Sequence, residues 1–290
     1  MNELVANALL VGTAATYLLA SVVFLRYLSG AAHTDEVGPL GPRLMAVGAG
    51  LHAVHIVVAS LVARVCPVEG IHFPMSVASM LMCVAYLVGR RRFRVSVAGA
   101  FIAPLALTSL LASRFVGDTP GARIRSALLP FHVTMNLFGV ALFSLAFASA
   151  TLYLVQERLL KQKKIEGLFR RLPPLDALDR AEHRFLLAGF PLLTLGIVTG
   201  TVWARRVEMG SASDLLRAGF GYLTWMLFAG VLFLRAAAGW RGRRAAYGTI
   251  AGFGFAVLVM ILYLVRAPSA PTAKAAEPPK VAVTTVTGAK

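Results

Sequence analysis

Of the side chains in this 290-residue chain that could do chemistry, the six histidines stand out by type and spacing. His52 and His55 are three apart in an apolar run, so on a helix they share one face about a turn apart. His132 lies in another apolar run; counting helix rise from the run ends puts it about 8 Å deep and His55 about 13 Å deep. Two imidazoles from different helices at compatible depth, with no carboxylate or thiolate competing, suit the axial positions of a bis-histidine haem iron. They do not suit zinc, which takes three or four ligands and favours thiolate or carboxylate company. The alternative is that each imidazole hydrogen-bonds a carbonyl of a neighbouring helix and packs. His72, in the short stretch after the second run, could cap a haem from the water side, whereas His33 and His183 read as solvated. Cys66 and Cys83 form no CxxC pair and read as packing residues.

The elements that must position these residues are membrane helices. The chain is 58% hydrophobic and 14% charged, with a mean hydropathy of +0.72, against about 45–50% apolar and about 25% charged for a soluble domain. Apolar segments at 5–28, 44–63, 74–89, 95–113, 127–155, 185–203, 219–235 and 246–265 predict an all-α, polytopic bundle of about eight transmembrane helices over residues 1–266. The first segment has no positive n-region and is expected to remain as a span. The third begins at Pro74, whose missing N–H costs nothing in a first helical turn. Residues 267–290 are rich in Pro, Ala, Lys and Thr without an apolar face and are expected to be a disordered tail.

The net charge of +16 would suggest nucleic acid in a soluble protein, but here its placement is a topology signal. With Arg26 and Arg235 counted in the loops they border, alternate loops carry 18 and 7 Lys and Arg, the tail set aside. Both termini are therefore expected outward. The cytoplasmic segments are then Arg90-Arg91-Arg92, the 156–184 loop with Lys161, Lys163, Lys164, Arg170 and Arg171, and the turn Gly239-Trp240-Arg241-Gly242-Arg243-Arg244, all suited to anionic lipid headgroups. The 13 carboxylates all fall at span ends, in loops or in the tail, which disfavours proton-coupled or divalent-cation transport and leaves an ion-transporter accessory role least supported. Without a Walker loop, primary active transport by this chain alone is not expected, nor is enzyme activity. Gly196-xxx-Gly200 and Gly248-xxx-Gly252 predict close helix approach.

From about residue 130 the chain resembles the cytochrome c assembly family of membrane proteins, in its smaller CcsA-like, HemX/YpjD-type branch. The matching stretches are Pro130-Phe131-His132-Val133, Leu172-Pro173-Pro174-Leu175-Asp176, Ala188-Gly189-Phe190-Pro191-Leu192-Leu193-Thr194-Leu195-Gly196 on to Gly200-Thr201-Val202-Trp203-Ala204, Thr224-Trp225, Gly239 to Arg244, and Gly252-Phe253, within 130–265. The resemblance implies a bacterial cytoplasmic-membrane protein that binds or passes haem b non-covalently in cytochrome c biogenesis, with a cytochrome c assembly partner. Its HemX-type members imply instead a regulator of haem synthesis acting on a soluble tetrapyrrole-synthesis enzyme docked on the 156–184 loop. It also implies His132 and one span-2 histidine as ligands: Leu51-His52-Ala53 looks like the relatives locally, while the distance to Arg64 and Pro74 favours His55. Trp203 and Trp225, read at outer interfacial positions, are candidate porphyrin contacts beside His72. The broader family's tryptophan-rich segment has no counterpart, because no tryptophan lies between Trp203 and Trp225 and Phe233 stands where relatives place a histidine.

Overall fold

The computed structural model describes residues 2–31, 38–63, 72–93, 95–115, 128–164, 166–206 and 212–264. Nine α-helices occur among them: α1 (Asn2–Leu28), α2 (Leu40–Ala63), α3 (His72–Phe93), α4 (Gly99–Phe115), α5 (Leu128–Lys161), the four-residue α6 (Leu168–Arg171), α7 (Leu175–Arg206), α8 (Ala212–Ala237) and α9 (Arg243–Leu264). No strand occurs among the described residues. Seven of the eight long helices are apolar enough by composition to cross a membrane. The other, α3, ends in Arg90-Arg91-Arg92 and packs against α2, α4 and α5, so its hydroxyls meet protein partners. The predicted helical membrane bundle is what forms. The tail, His33 and Cys66 lie outside the described residues, while Cys83 is a buried free thiol, as a packing residue should be.

Lipid tails are as apolar as leucine, so membrane helices associate through close packing and interhelical hydrogen bonds and gain little from apolar burial. Both devices are visible here. In the α1–α2 pair a side chain at Gly41 would strike the Phe24 ring at 2.9 Å, and one at Gly48 would strike Tyr17 at 2.6 Å. In the α5–α7 pair Gly189 faces Phe143 at 2.7 Å and Gly196 faces Asn136 at 2.5 Å. Gly252 of α9 likewise faces Phe228 of α8 at 2.6 Å, and Gly248 faces Val231. Each contact series runs up one helix and down the other, which makes the pairs antiparallel. α3 and α4 are tied in the same sense by hydroxyls: Ser79 donates to the Ala106 carbonyl (2.7 Å) and Ser109 to that of Met75 (3.1 Å).

Two groups of helices result. α1 to α4 pack together, α5 packs on α7 and α9, α8 bridges α7 and α9, and α3 joins the groups by lying against α5. The antiparallel order gathers the starts of α1, α3, α5 and α8 with the ends of α2, α4, α7 and α9 at one end of the bundle. His52, His55 and His132 all lie toward it.

Candidate functional site

Toward that end, His52 is fully buried and bridges three helices. Its Nδ1 lies 3.1 Å from the Tyr17 hydroxyl of α1 and its Nε2 lies 2.7 Å from the Ser76 hydroxyl of α3. With both ring nitrogens engaged, this imidazole is a crosslink. His55, one turn on and also buried, is held differently: Nδ1 lies 2.9 Å from the Ala6 carbonyl. A carbonyl only accepts, so Nδ1 carries the proton and the lone pair of the neutral ring is on Nε2. The two rings are 6.2 Å apart and tilted by 43°.

His132 repeats the His55 arrangement on α5. Its Nδ1 donates to the Gly196 carbonyl of α7 at 2.6 Å, again placing the lone pair on Nε2. Asn136, one turn on, donates to the His132 carbonyl at 2.8 Å, and its amide stands 3.4 Å from Nε2. The Gly-xxx-Gly pair of α7 makes the seat: a Cβ at Gly196 would meet Asn136 Oδ1 at 2.5 Å, and one at Gly200 would meet His132 Nδ1 at 2.6 Å. That spacing, read as close helix approach, specifically admits two polar side chains.

The structure brings His52 and His55 together and places His132 on the other helix group, with α3 packed between α2 and α5. Trp225 differs from its reading as an interfacial residue. It lies in the middle of α8, stacked on Phe190 of α7 (5.6 Å, 28°), with Nε1 donating to the Thr194 hydroxyl at 3.0 Å. Trp203 is half-buried near the end of α7. His72 begins α3, but its side chain lies outside the described residues, as does the 207–211 segment where the broader family carries its tryptophans. Among the described residues no three His, Cys, Asp or Glu side chains group as ligands for a metal ion.

The opposite end holds residues that the reading of the sequence missed. Asp179 and Glu182, assigned to a loop, are buried inside α7, because that helix starts at Leu175, ten residues before the apolar run. Asp179 takes a bidentate pair from Arg235 (3.0 and 2.5 Å) and the Gly242 N–H (2.8 Å). Glu182 accepts from the Thr249 hydroxyl at 2.5 Å. His183, expected to be solvated, is half-buried, with Nδ1 shielded and no hydrogen-bond partner among the described residues. Arg171 is not simply a headgroup anchor either: it donates to the Tyr27 carbonyl and lies over the Tyr27 ring. The available signal was Leu172-Pro173-Pro174 followed by Asp and Glu at helical spacing, which marks a helix start well before the hydrophobicity begins.

The fold and these contacts define a multi-pass helical membrane protein with imidazoles set toward one end and a buried ion pair at the other. The family profile described as Cytochrome C assembly protein matches residues 44–269, and the chain belongs to that family. It is 37% identical over 102 residues to Protein HemX of Brevibacillus brevis, covering 34% of this chain and 38% of that one. It is 39% identical over 89 residues to the cytochrome c biogenesis protein CcsA of Synechococcus elongatus (31% and 26%) and 38% identical over 95 residues to that of Gloeothece citriformis (33% and 28%). The chain thus spans between a quarter and two-fifths of the length of these curated relatives. No solved structure matches it.

Proposed function

We propose that this protein handles haem within the membrane in support of cytochrome c biogenesis, with His132 and His55, one in each helix group, as the residues that would hold it. The observation that carries the proposal is the family match over residues 44–269. Each of the two imidazoles gives its Nδ1 proton to a backbone carbonyl of a neighbouring helix, Gly196 or Ala6, the bond expected of a packing histidine and equally the one that sets the tautomer a ligand would need. Metal-ligating histidines are characteristically held this way, because the bond fixes ring and tautomer and raises the basicity of the other nitrogen. Each imidazole is thus held singly as an iron ligand would be, and α3 lies between their helices, so the two do not face a common iron in this arrangement. His52, engaged at both nitrogens, serves to hold α1, α2 and α3 together around His55.

When bound, haem b supplies an iron that changes oxidation state by one electron. The chain would contribute a histidine ligand, exclusion of water by the apolar helices, and orientation of His132 through Gly196, Gly200 and Asn136. Binding and transfer of an intact cofactor need no catalytic group from the chain. The family setting supports a cytochrome c assembly partner and residence in the bacterial cytoplasmic membrane.

The test is the absorbance of protein purified from haem-replete cells. A Soret band is expected in the wild type, with occupancy lowered about tenfold or more in His132→Ala and in His55→Ala and the band position kept in His52→Ala. No band in the wild type, or one indifferent to His132→Ala, overturns the assignment. The similarity to HemX favours a second reading, in which exposed Lys161, Lys163 and Lys164 receive a soluble tetrapyrrole-synthesis enzyme. Deletion that alters the abundance of that enzyme while c-type cytochromes still mature would select it.

A further inference from the structure

At the end opposite the histidines an open recess of about 420 Å³ is lined by Arg180, His183 and Arg184 of α7, Arg235 of α8, and Gly239 and Arg241 of the α8–α9 turn. Four guanidiniums and an imidazole line it, and among the described residues no carboxylate does. The nearby acids are already committed. Asp179 is held by Arg235 and the Gly242 N–H, Asp176 pairs with Arg180, and Glu182 accepts from Thr249 on α9. Arg184 lies over the Phe93 ring at 5.6 Å, a contact that uses none of its N–H donors. The Arg241 side chain is 69% exposed and only 3.7 Å from Asp179. His183, also on the wall, has its shielded Nδ1 without a hydrogen-bond partner among the described residues.

Planar guanidinium forks match the oxygens of phosphate and carboxylate, which they bind bidentately. The level of the recess in the membrane is indicated by the same turn, where half-buried Trp240 lies 6.0 Å beneath the Arg244 guanidinium. Indoles and arginines together favour the headgroup boundary. We infer that the recess binds the oxyanion of a membrane-held amphiphile, a phosphate or carboxylate gripped by Arg184 and Arg241 while its apolar body lies in the bilayer beside α7. Two sources share this chemistry, the headgroup of an anionic phospholipid and the propionates of haem. The second rests on the haem proposal above and the first does not.

The experiment uses the full chain, purified and delipidated in detergent, as wild type, as R184Q/R241Q, and as R91Q/R92Q, which removes equal charge outside the recess. Native mass spectrometry follows phosphatidylglycerol against phosphatidylcholine, and absorbance titration follows haem against its dimethyl ester. At least one anionic member is expected to bind about tenfold more tightly than its neutral partner in the wild type and in R91Q/R92Q, and to lose that preference in R184Q/R241Q. Loss for phosphatidylglycerol identifies the phosphate source, and loss for haem over its ester the propionate source. Absence of any preference in the wild type, or equal preference in all three proteins, overturns the inference. If R184Q/R241Q fails to fold by gel filtration, the exposed single substitution Arg241→Gln carries the test, with partial loss expected and full retention counting against the site. The Soret band of each variant reports the histidine site separately, so failure of one proposal is distinguishable from failure of the other.

Discussion

At the scale of single residues, three histidines that look alike in sequence differ in the partners that hold their Nδ1 atoms. His52 meets the hydroxyls of Tyr17 and Ser76, His55 meets the Ala6 carbonyl through Nδ1, and His132 meets the Gly196 carbonyl through Nδ1 with the Asn136 amide beside Nε2. Spacing placed His52 and His55 on one helix face but could not say which partners α1 and α3 would supply. The Gly200 position makes a sharp prediction of the same kind. Its added methyl would overlap the His132 ring, so Gly200→Ala should cost about 1–3 kcal/mol of stability by overpacking. It should also lower haem occupancy, read as a reduced melting temperature together with a weaker or shifted Soret band. Gly254→Ala, with nothing in the way of the new methyl, should leave both unchanged.

At the scale of elements, α7 carries most of what the linear reading left out. Hydropathy located its apolar part at 185–203, but the helix begins at Leu175 and brings Asp179 under the α8–α9 turn. Gly239 and Gly242 take positive φ angles of 64° and 62° there, which lets the Gly242 N–H point at Asp179 Oδ1. Removing one partner of a buried, hydrogen-bonded ion pair leaves the other uncompensated, a cost of about 3–5 kcal/mol. Asp179→Ala and Arg235→Ala are each expected to lower thermal stability by that order. The double replacement should cost less than the sum of the two, because the second change removes the stranded charge. Additive losses in a double-mutant cycle would show that the pair is not coupled.

At the scale of the whole molecule, the antiparallel order sets every charged turn in relation to the others. Arg90-Arg91-Arg92, the Lys161 to Lys164 segment and the Arg241 to Arg244 turn fall at the end away from the histidines, and we propose that this is the cytoplasmic end, because positive charge is retained on that side. Single cysteines placed at Lys163 and at Arg244, in a chain with Cys66 and Cys83 replaced by Ser, should react with a membrane-impermeant maleimide only after the cells are opened. Labelling of intact cells at either position would reverse the proposed orientation and put the histidines on the cytoplasmic side.

What the sequence determined by itself was the environment and the inventory. An apolar fraction this high forces membrane helices, unequal loop charge predicts their direction, and the residues from 130 to 265 carry the family resemblance. It also named His52, His55 and His132. Only the tertiary structure decided which of them is a crosslink, why Gly196 and Gly200 must be small, and that Asp179 and Glu182 are buried. The physical reason is common to all three. A hydrogen bond or a steric overlap is a property of two helices at a given register, and hydropathy along one chain segment contains no term for its neighbour.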